Sequence, residues 1–237
     1  MTQKNPTRRA ITIGGGGWVI DFDRPLDDWW IGILGHKPRL ALIPTATGDE
    51  RYLIDKFTAR FANQCASIEV LRLFERTEDD LDAFFEDVDM VHVLGGNTAS
   101  MLAVWRAHGV DRALELAYRR GVVMTGISAG AICWGTGGIT DSFGSKLQPF
   151  VGGLRLLDKS FNPHYDDPRR ANRAILGSMW RVAEGHPSPL VCLPNGTAVL
   201  WENEKMHQCV SARPHARSIH LFMPDDTIKE KTCTQIG

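Results

Sequence analysis

The chain has 237 residues, of which 43% are hydrophobic and 23% charged, with a formal net charge of −1. That length and composition suit a single globular domain with a sizeable core. The near-neutral balance, with basic residues scattered in short clusters, leaves no electrostatic footprint for nucleic acid or a membrane surface.

Taken in chain order, apolar runs bounded by Gly, Pro and Thr alternate with amphipathic stretches. "AITIGGGG" (residues 10–17) reads as a first strand and "RLALIPTAT" (39–47) as a second. "DKFTARFANQ" (55–64) has helical spacing and leads into the strand "SIEVLRLF" (67–74). "TEDDLDAFFED" (77–87) opens with a Thr cap and an acidic first turn, as a helix N-terminus prefers. "VDMVHVLGGNT" (88–98) is a buried strand ending in a glycine turn, and two helices follow, "ASMLAVWRAHG" and "VDRALELAYRRG", each closed by Gly. This alternation predicts an α/β fold with a mostly parallel sheet and helices on both faces. Beyond residue 185 the texture becomes short strands and turns, so residues 186–237 are expected to form a β-rich C-terminal extension of one domain spanning 1–237.

No run of eighteen apolar residues could span a bilayer, and "MTQKNPTRRA" lacks the apolar stretch of a secretory signal, so a soluble cytoplasmic protein is expected. The five cysteines (Cys65, Cys133, Cys192, Cys209, Cys233) are widely spaced and contain no C-x-x-C pair. They are expected to be reduced, mostly buried thiols, with neither a disulfide framework nor a metal site. The run Gly14 to Gly17 fails the dinucleotide spacing because Val19 stands where the third glycine belongs, and no cofactor is expected.

The chemistry centres on "VVMTGISAG" (122–130), an apolar strand running into Gly126-Ile127-Ser128-Ala129-Gly130. A strand, a sharp turn and a small-residue helix are the setting in which G-x-S-x-G becomes a nucleophile elbow. Acyl transfer by a serine also needs a base, an orienting group and donors for the oxyanion. The N–H of Ala129, the residue after the serine, is one such donor, and Gly96 in "LGGNT" is the candidate for the second. Among eight histidines, His164 in "FNPHYDD" ranks first as base, since it follows an apolar stretch downstream of the serine. His92 in a buried strand and His108 at a helix end read as structural, while His207, His215 and His220 lie in the tail. Cys133, five residues past Ser128, would point away from it on a helix and reads as packing.

"GISAGA", the upstream "GGNT" and the downstream "NPHY" together resemble the peptidase E family of serine peptidases, over about residues 40–200. The resemblance implies a fold of the class I glutamine amidotransferase kind and cleavage of dipeptides with an N-terminal aspartate. It further implies Ser128 as nucleophile, His164 as base, and Gly96 with Ala129 as oxyanion hole. Where typical members carry an acid after a Leu-Pro pair, this chain has "CLPNGT", so Asn195 takes the orienting position. Asp141 in "GITDS" matches another acidic position of the family and is the alternative orienting group. An amide can accept from the imidazole Nδ1–H but supplies no negative charge, and replacing Asn195 by Asp is expected to raise turnover.

Arg170, after "HYDDP", is the candidate cation for a substrate aspartate, on a loop shorter than in typical members. Asp-X cleavage is therefore expected to be weak. The leading reading is a serine hydrolase of small peptide or amide substrates. The alternative is a degenerate member that binds a ligand without turnover, which Asn195 favours. Glutamine amidotransfer would need a cysteine where Ser128 stands. No nucleic-acid or membrane partner is expected, and a homodimer is compatible with the sequence.

Overall fold

The computed structural model describes residues 6–19, 23–75, 78–182, 188–214 and 218–237. In chain order the elements are β1 (Arg9–Ile13), α1 (Arg24–Ile31), β2 (Arg39–Ile43), α2 (Arg51–Phe61), β3 (Ser67–Val70), α3 (Leu81–Phe84), β4 (Met90–Val93), α4 (Thr98–His108) and α5 (Val110–Arg120). They continue with β5 (Val123–Ile127), α6 (Ala129–Ile132), β6 (Gly137–Thr140), β7 (Gln148–Val151), β8 (Ser160–Pro163), α7 (Arg173–Val182) and β9 (Leu190–Leu193). The chain closes with β10 (Thr197–Glu202), β11 (Lys205–Ser211), β12 (Ser218–Phe222), β13 (Ile228–Thr232) and β14 (Thr234–Gln235).

The strands form two sheets. The larger runs β14-β11-β10-β1-β5-β4-β2-β3, and its β1-β5-β4-β2-β3 portion is parallel throughout. Period-two alternation sends its side chains to two cores. Ala10, Ala41, Ile43, Val91, Val93 and Met124 face Leu102, Trp105, Leu114 and Ile132 from α4, α5 and α6. Ile11, Ile13, Leu40, Leu42, Met90 and Val123 face Leu26, Trp30, Phe57 and Phe61 from α1 and α2. Covered on both faces, these strands read as continuous apolar runs rather than alternating ones.

The smaller sheet runs β13-β12-β9-β8-β6-β7 and was not foreseen as separate. Its core, Ile139, Leu190, Cys192 and Phe222, packs against Leu176 and Met179 of α7. The β-rich tail divides between the sheets: β10, β11 and β14 extend the larger, and β9, β12 and β13 the smaller.

Two local expectations are corrected. The cap of α3 is Asp80, whose side chain accepts from the Ala83 N–H, and Thr77 lies outside the described residues. Cys209 and Cys233 are joined in a disulfide rather than reduced, with Cα atoms 4.7 Å apart. The β11–β14 register pairs Val210 with Thr234 and so brings the preceding cysteines together. Cys65, Cys133 and Cys192 are free and buried, and the Cys133 Sγ–H donates to the Gly130 carbonyl. His92 is fully buried, stacked on Trp30 and Phe57, with Nδ1 donating to Thr125 Oγ1 at 2.8 Å. Burial pushes its pKa down to about 3, which keeps the ring neutral in this core.

The glycines around the β5–α6 turn make a stability prediction. A Cβ on Gly130 would lie 2.3 Å from the Val93 carbonyl oxygen, whereas one on Gly177 in α7 meets nothing within 4 Å. Gly130→Ala should cost about 1–3 kcal/mol of unfolding free energy, the range for overpacking. Gly177→Ala should gain roughly 0.5–1 kcal/mol from helix propensity alone. Urea unfolding of the two variants checks both signs.

Candidate active site

Ser128 stands between β5 and α6 with φ 57° and ψ −111°, outside the ordinary wells for a residue with a side chain. Its N–H still donates to the Ile13 carbonyl of β1, while its own carbonyl accepts from the Ala131 and Ile132 N–H groups of α6. The residue therefore ends the strand and starts the helix at once. Both flanking glycines are required by close backbone approach: a Cβ on Gly126 would sit 2.2 Å from the Gly130 carbonyl oxygen.

His164 follows β8 directly and also has a positive φ, 54°. Strain of this kind persists only where surrounding contacts hold it. Here its N–H donates to the Gly14 carbonyl, and the next N–H, of Tyr165, donates to the Leu193 carbonyl. The β8–β9 pairing is parallel and matches Pro163 with Leu193, so the residues just beyond each strand end lie side by side. The result is a continuous chain of hydrogen bonds. Ser128 Oγ is 2.8 Å from His164 Nε2, and His164 Nδ1 is 2.7 Å from Asn195 Oδ1.

The glycine run that fits no cofactor fingerprint underlies this chain. A Cβ on Gly15 would fall 2.0 Å from Asn195 Oδ1 and 2.5 Å from His164 Nδ1. The Gly15 carbonyl accepts from the Gly196 N–H, and the Gly14 N–H donates to the Thr197 carbonyl. The turn itself is held by Asp23, fully buried, which accepts from the Gly17 N–H and twice from the Arg213 guanidinium at 2.8 and 2.7 Å. Sequence reading passed over Asp23, Arg213 and the role of Gly15, because each acts across sheets far apart in the chain.

Burial is the main influence on His164 and lowers its pKa below the ordinary 6.5. The hydrogen bond to Asn195 and the charges of Asp166 and Asp141 oppose that shift, while the Arg170 charge adds to it. The neutral imidazole is the form a general base requires. Asp166, another residue that sequence reading passed over, accepts from the Asn195 backbone N–H at 2.9 Å. It also accepts from Asn195 Nδ2, at 3.0 and 2.9 Å to its two carboxylate oxygens.

The remaining expected residues fall as follows. The Gly95–Gly96 turn lies against the serine, with a Cβ on Gly95 3.1 Å from Ser128 Cβ. Gly96, at φ 139°, packs on the Ala46 carbonyl, where a Cβ would come within 2.2 Å. Among the described residues, neither the Gly96 nor the Ala129 N–H has an acceptor.

Asp141 does not reach His164. Its side chain is 63% exposed, and its partner is Arg170 at 3.9 Å. Arg170 is itself buried and donates to the Ile139 carbonyl of β6 at 3.0 Å. A cavity of about 370 Å³ opens beside Ser128, His164 and Asn195, walled by Trp18, Val19, Leu53, Leu94 and Ile127 with Gly16, Gly95 and Thr47. No charged side chain lines it among the described residues. His207 pairs with Glu202, His220 packs on Tyr165, and His215 lies outside the described residues.

Gly14 and Gly15, Thr47, the Gly95–Gly96 turn, Ser128, His164 and Asn195 follow the carboxyl ends of β1, β2, β4, β5, β8 and β9 respectively, where parallel sheets place their ligands. The profile of Peptidase family S51 matches residues 11–209, a span that includes the elbow, His164 and Asn195. The chain belongs to peptidase family S51. It is 33% identical over 228 residues to the uncharacterized peptidase YgaJ of Bacillus subtilis (strain 168), covering 94% of this chain and 96% of that one. It is 32% identical over 139 residues to peptidase E of Streptomyces coelicolor, covering 58% and 55% of the two chains. The solved structure of a peptidase from an acI-B1 Actinobacterium superposes with a TM-score of 0.66 at 18% identity, covering 98% of this chain and 96% of that one. That likeness places the S51 chain in the fold of that peptidase, in keeping with the expected glutamine amidotransferase-like class. Among the described residues, no helix is long and apolar enough to cross a membrane.

Titration of His164 follows from these surroundings. Because burial favours the neutral ring, its NMR titration midpoint should lie below 6.5, with the proton taken up only on further acidification. A midpoint above that value would show that the neighbouring carboxylates outweigh burial.

Proposed function

We propose that this S51 member is a serine hydrolase of small peptide or amide substrates, with Ser128 as nucleophile, His164 as general base and Asn195 as the group that orients the base. The observation that carries this reading is the unbroken chain Ser128 Oγ–His164 Nε2 at 2.8 Å and His164 Nδ1–Asn195 Oδ1 at 2.7 Å. Nucleophile, base and orienter are within hydrogen-bond reach before any substrate arrives. Ser128 and His164 are both held at positive φ, strain of the kind that clusters at active sites.

In the reaction, Ser128 Oγ attacks the scissile carbonyl carbon while its proton passes to His164 Nε2. The carbonyl oxygen becomes an oxyanion that the N–H groups of Ala129 and Gly96, which have no acceptor among the described residues, can receive. The imidazolium then gives its proton to the leaving amine, the C–N bond breaks, and an acyl-serine remains. Water, deprotonated by His164, adds to the acyl carbon, and the carboxylic acid leaves as the serine proton returns.

The cavity walls support a substrate whose group beside Ser128 is small and uncharged. A substrate aspartate would lose its hydration against Trp18, Leu53, Leu94 and Ile127. Arg170, the cation expected to meet it, is committed to the Ile139 carbonyl and Asp141. Desolvating an unpaired carboxylate costs several kcal/mol, and each 1.4 kcal/mol is about tenfold in rate. Steady-state assays should therefore give Asp-X dipeptides a kcat/KM at least about 100-fold below dipeptides or nitrophenyl esters with small apolar acyl groups. Ser128→Ala should abolish both activities. Efficient Asp-X turnover that disappears in Arg170→Ala would reverse the assignment of the pocket.

A further inference from the structure

We propose that Asp166 is a positioning residue: as an acceptor-only carboxylate it fixes which way the Asn195 amide faces, and through it the tautomer of His164. This rests on the reading of Ser128 and His164 as nucleophile and base.

A neutral orienting amide has a weakness that a carboxylate lacks. Its two ends are nearly the same shape, and a half-turn would exchange Oδ1 for the NH2 group. With the NH2 toward His164, Nδ1 would have to accept, leaving Nε2 protonated and pointing its hydrogen at Ser128. That ring cannot take the serine proton. A side chain in the place of Asn195 must therefore be prevented from turning over.

Asp166 supplies that constraint. Ionised, it has no hydrogen to donate, so only a donor can face it. It receives the Asn195 backbone N–H on Oδ1 at 2.9 Å and the Asn195 NH2 on Oδ1 and Oδ2 at 3.0 and 2.9 Å. With the NH2 engaged there, Oδ1 faces His164 Nδ1 at 2.7 Å and can only accept. Nδ1 must then carry the hydrogen, and Nε2 presents its lone pair to Ser128 Oγ at 2.8 Å. Asp166 stays ionised in this role: burial pushes its pKa up, but the hydrogen bonds from Asn195 prevail and hold it below the usual carboxylate range. Its charge also lies one residue beyond the imidazole, where it favours the imidazolium formed during the reaction.

The same geometry corrects the expectation that Asn195→Asp raises turnover. A carboxylate introduced at position 195 would confront Asp166 across distances of 2.9–3.0 Å, with no hydrogen between them. The exchange is favourable only if position 166 becomes a donor.

A reciprocal swap tests this. In Asp166→Asn the new amide oxygen can still accept the Asn195 backbone N–H, but its NH2 replaces the oxygen that received the Asn195 NH2 at 2.9 Å, so position 166 no longer excludes the turned-over Asn195. Nitrophenyl-ester hydrolysis should fall at least tenfold, within the roughly 10⁴-fold limit set by a wrong imidazole tautomer in a chymotrypsin-type triad. Asn195→Asp should fall as well. The double variant Asp166→Asn/Asn195→Asp restores a donor facing a carboxylate and a carboxylate facing Nδ1–H, and should recover wild-type activity or exceed it. Imidazole ¹⁵N NMR provides a readout independent of turnover: His164 should be Nδ1-protonated in the wild type and the double variant, and shift toward Nε2–H in Asp166→Asn. Full activity in Asp166→Asn, an unmoved tautomer, or a double variant no better than either single would overturn the proposal. A tautomer shift in a protein that hydrolyses nothing would leave Asp166 in its role and refute the hydrolase reading instead.

Discussion

The site depends on one close backbone approach, that of the Gly14–Gly15 turn to the strand ends of the second sheet. The Gly14 carbonyl holds the His164 N–H, and the Gly15 carbonyl holds the Gly196 N–H, so residues from β8 and β9 are docked onto the end of β1. Ser128 is tied to the same strand through the Ile13 carbonyl. Nucleophile, base and orienting amide thus refer to one segment of three residues, Ile13 to Gly15, and the imidazole–amide hydrogen bond passes where a Gly15 side chain would be. Buried Asp23, clamped by Arg213, keeps that segment in place. Breaking such a buried pair by removing one partner is strongly destabilising, so the turn is held more firmly than an exposed glycine loop would be.

Charge in this site is graded by distance from the reacting atoms. Among the described residues the cavity wall carries no charged side chain, the imidazole's immediate partner is a neutral amide, and the negative charge of Asp166 stands beyond that amide. A carboxylate in direct contact with the imidazole would raise its pKa; here burial prevails and the pKa is lowered. The arrangement gives up some stabilisation of the imidazolium and gains a base that is unprotonated at neutral pH. The charge of buried Arg170 reinforces the same direction.

What was legible in the sequence was local. The elbow is five consecutive residues whose meaning lies in their own backbone, and the alternation of strands and helices reports burial on two faces. Gly96, Ala129, His164 and Asn195 came from order along the chain and from family resemblance, and their distances come from the structure. What was hidden was non-local. Asp166 meets Asn195 only because β8 and β9 pair in register, and Cys209 meets Cys233 only because β14 lies along β11. The glycine run does not fit a phosphate-binding spacing, and Gly15 is instead required by the close approach of Asn195 and His164. Arg170 reads in the sequence as a cation for a substrate aspartate, but its side chain is buried and donates to the Ile139 carbonyl. The signal that could have joined these pieces was the pair of tetrapeptides "SFNP" and "LVCL", the first followed directly by His164 and the second, after Pro194, by Asn195.

The central claim is that His164 activates Ser128 for attack. Its most direct test is to treat the native protein with a fluorophosphonate and locate the adduct by intact mass and peptide mapping. The account predicts a single phosphonyl group on Ser128, absent in Ser128→Ala and formed far more slowly in His164→Ala. A protein that takes up no probe, or takes it up on another residue while Ser128 stays unmodified, would contradict it.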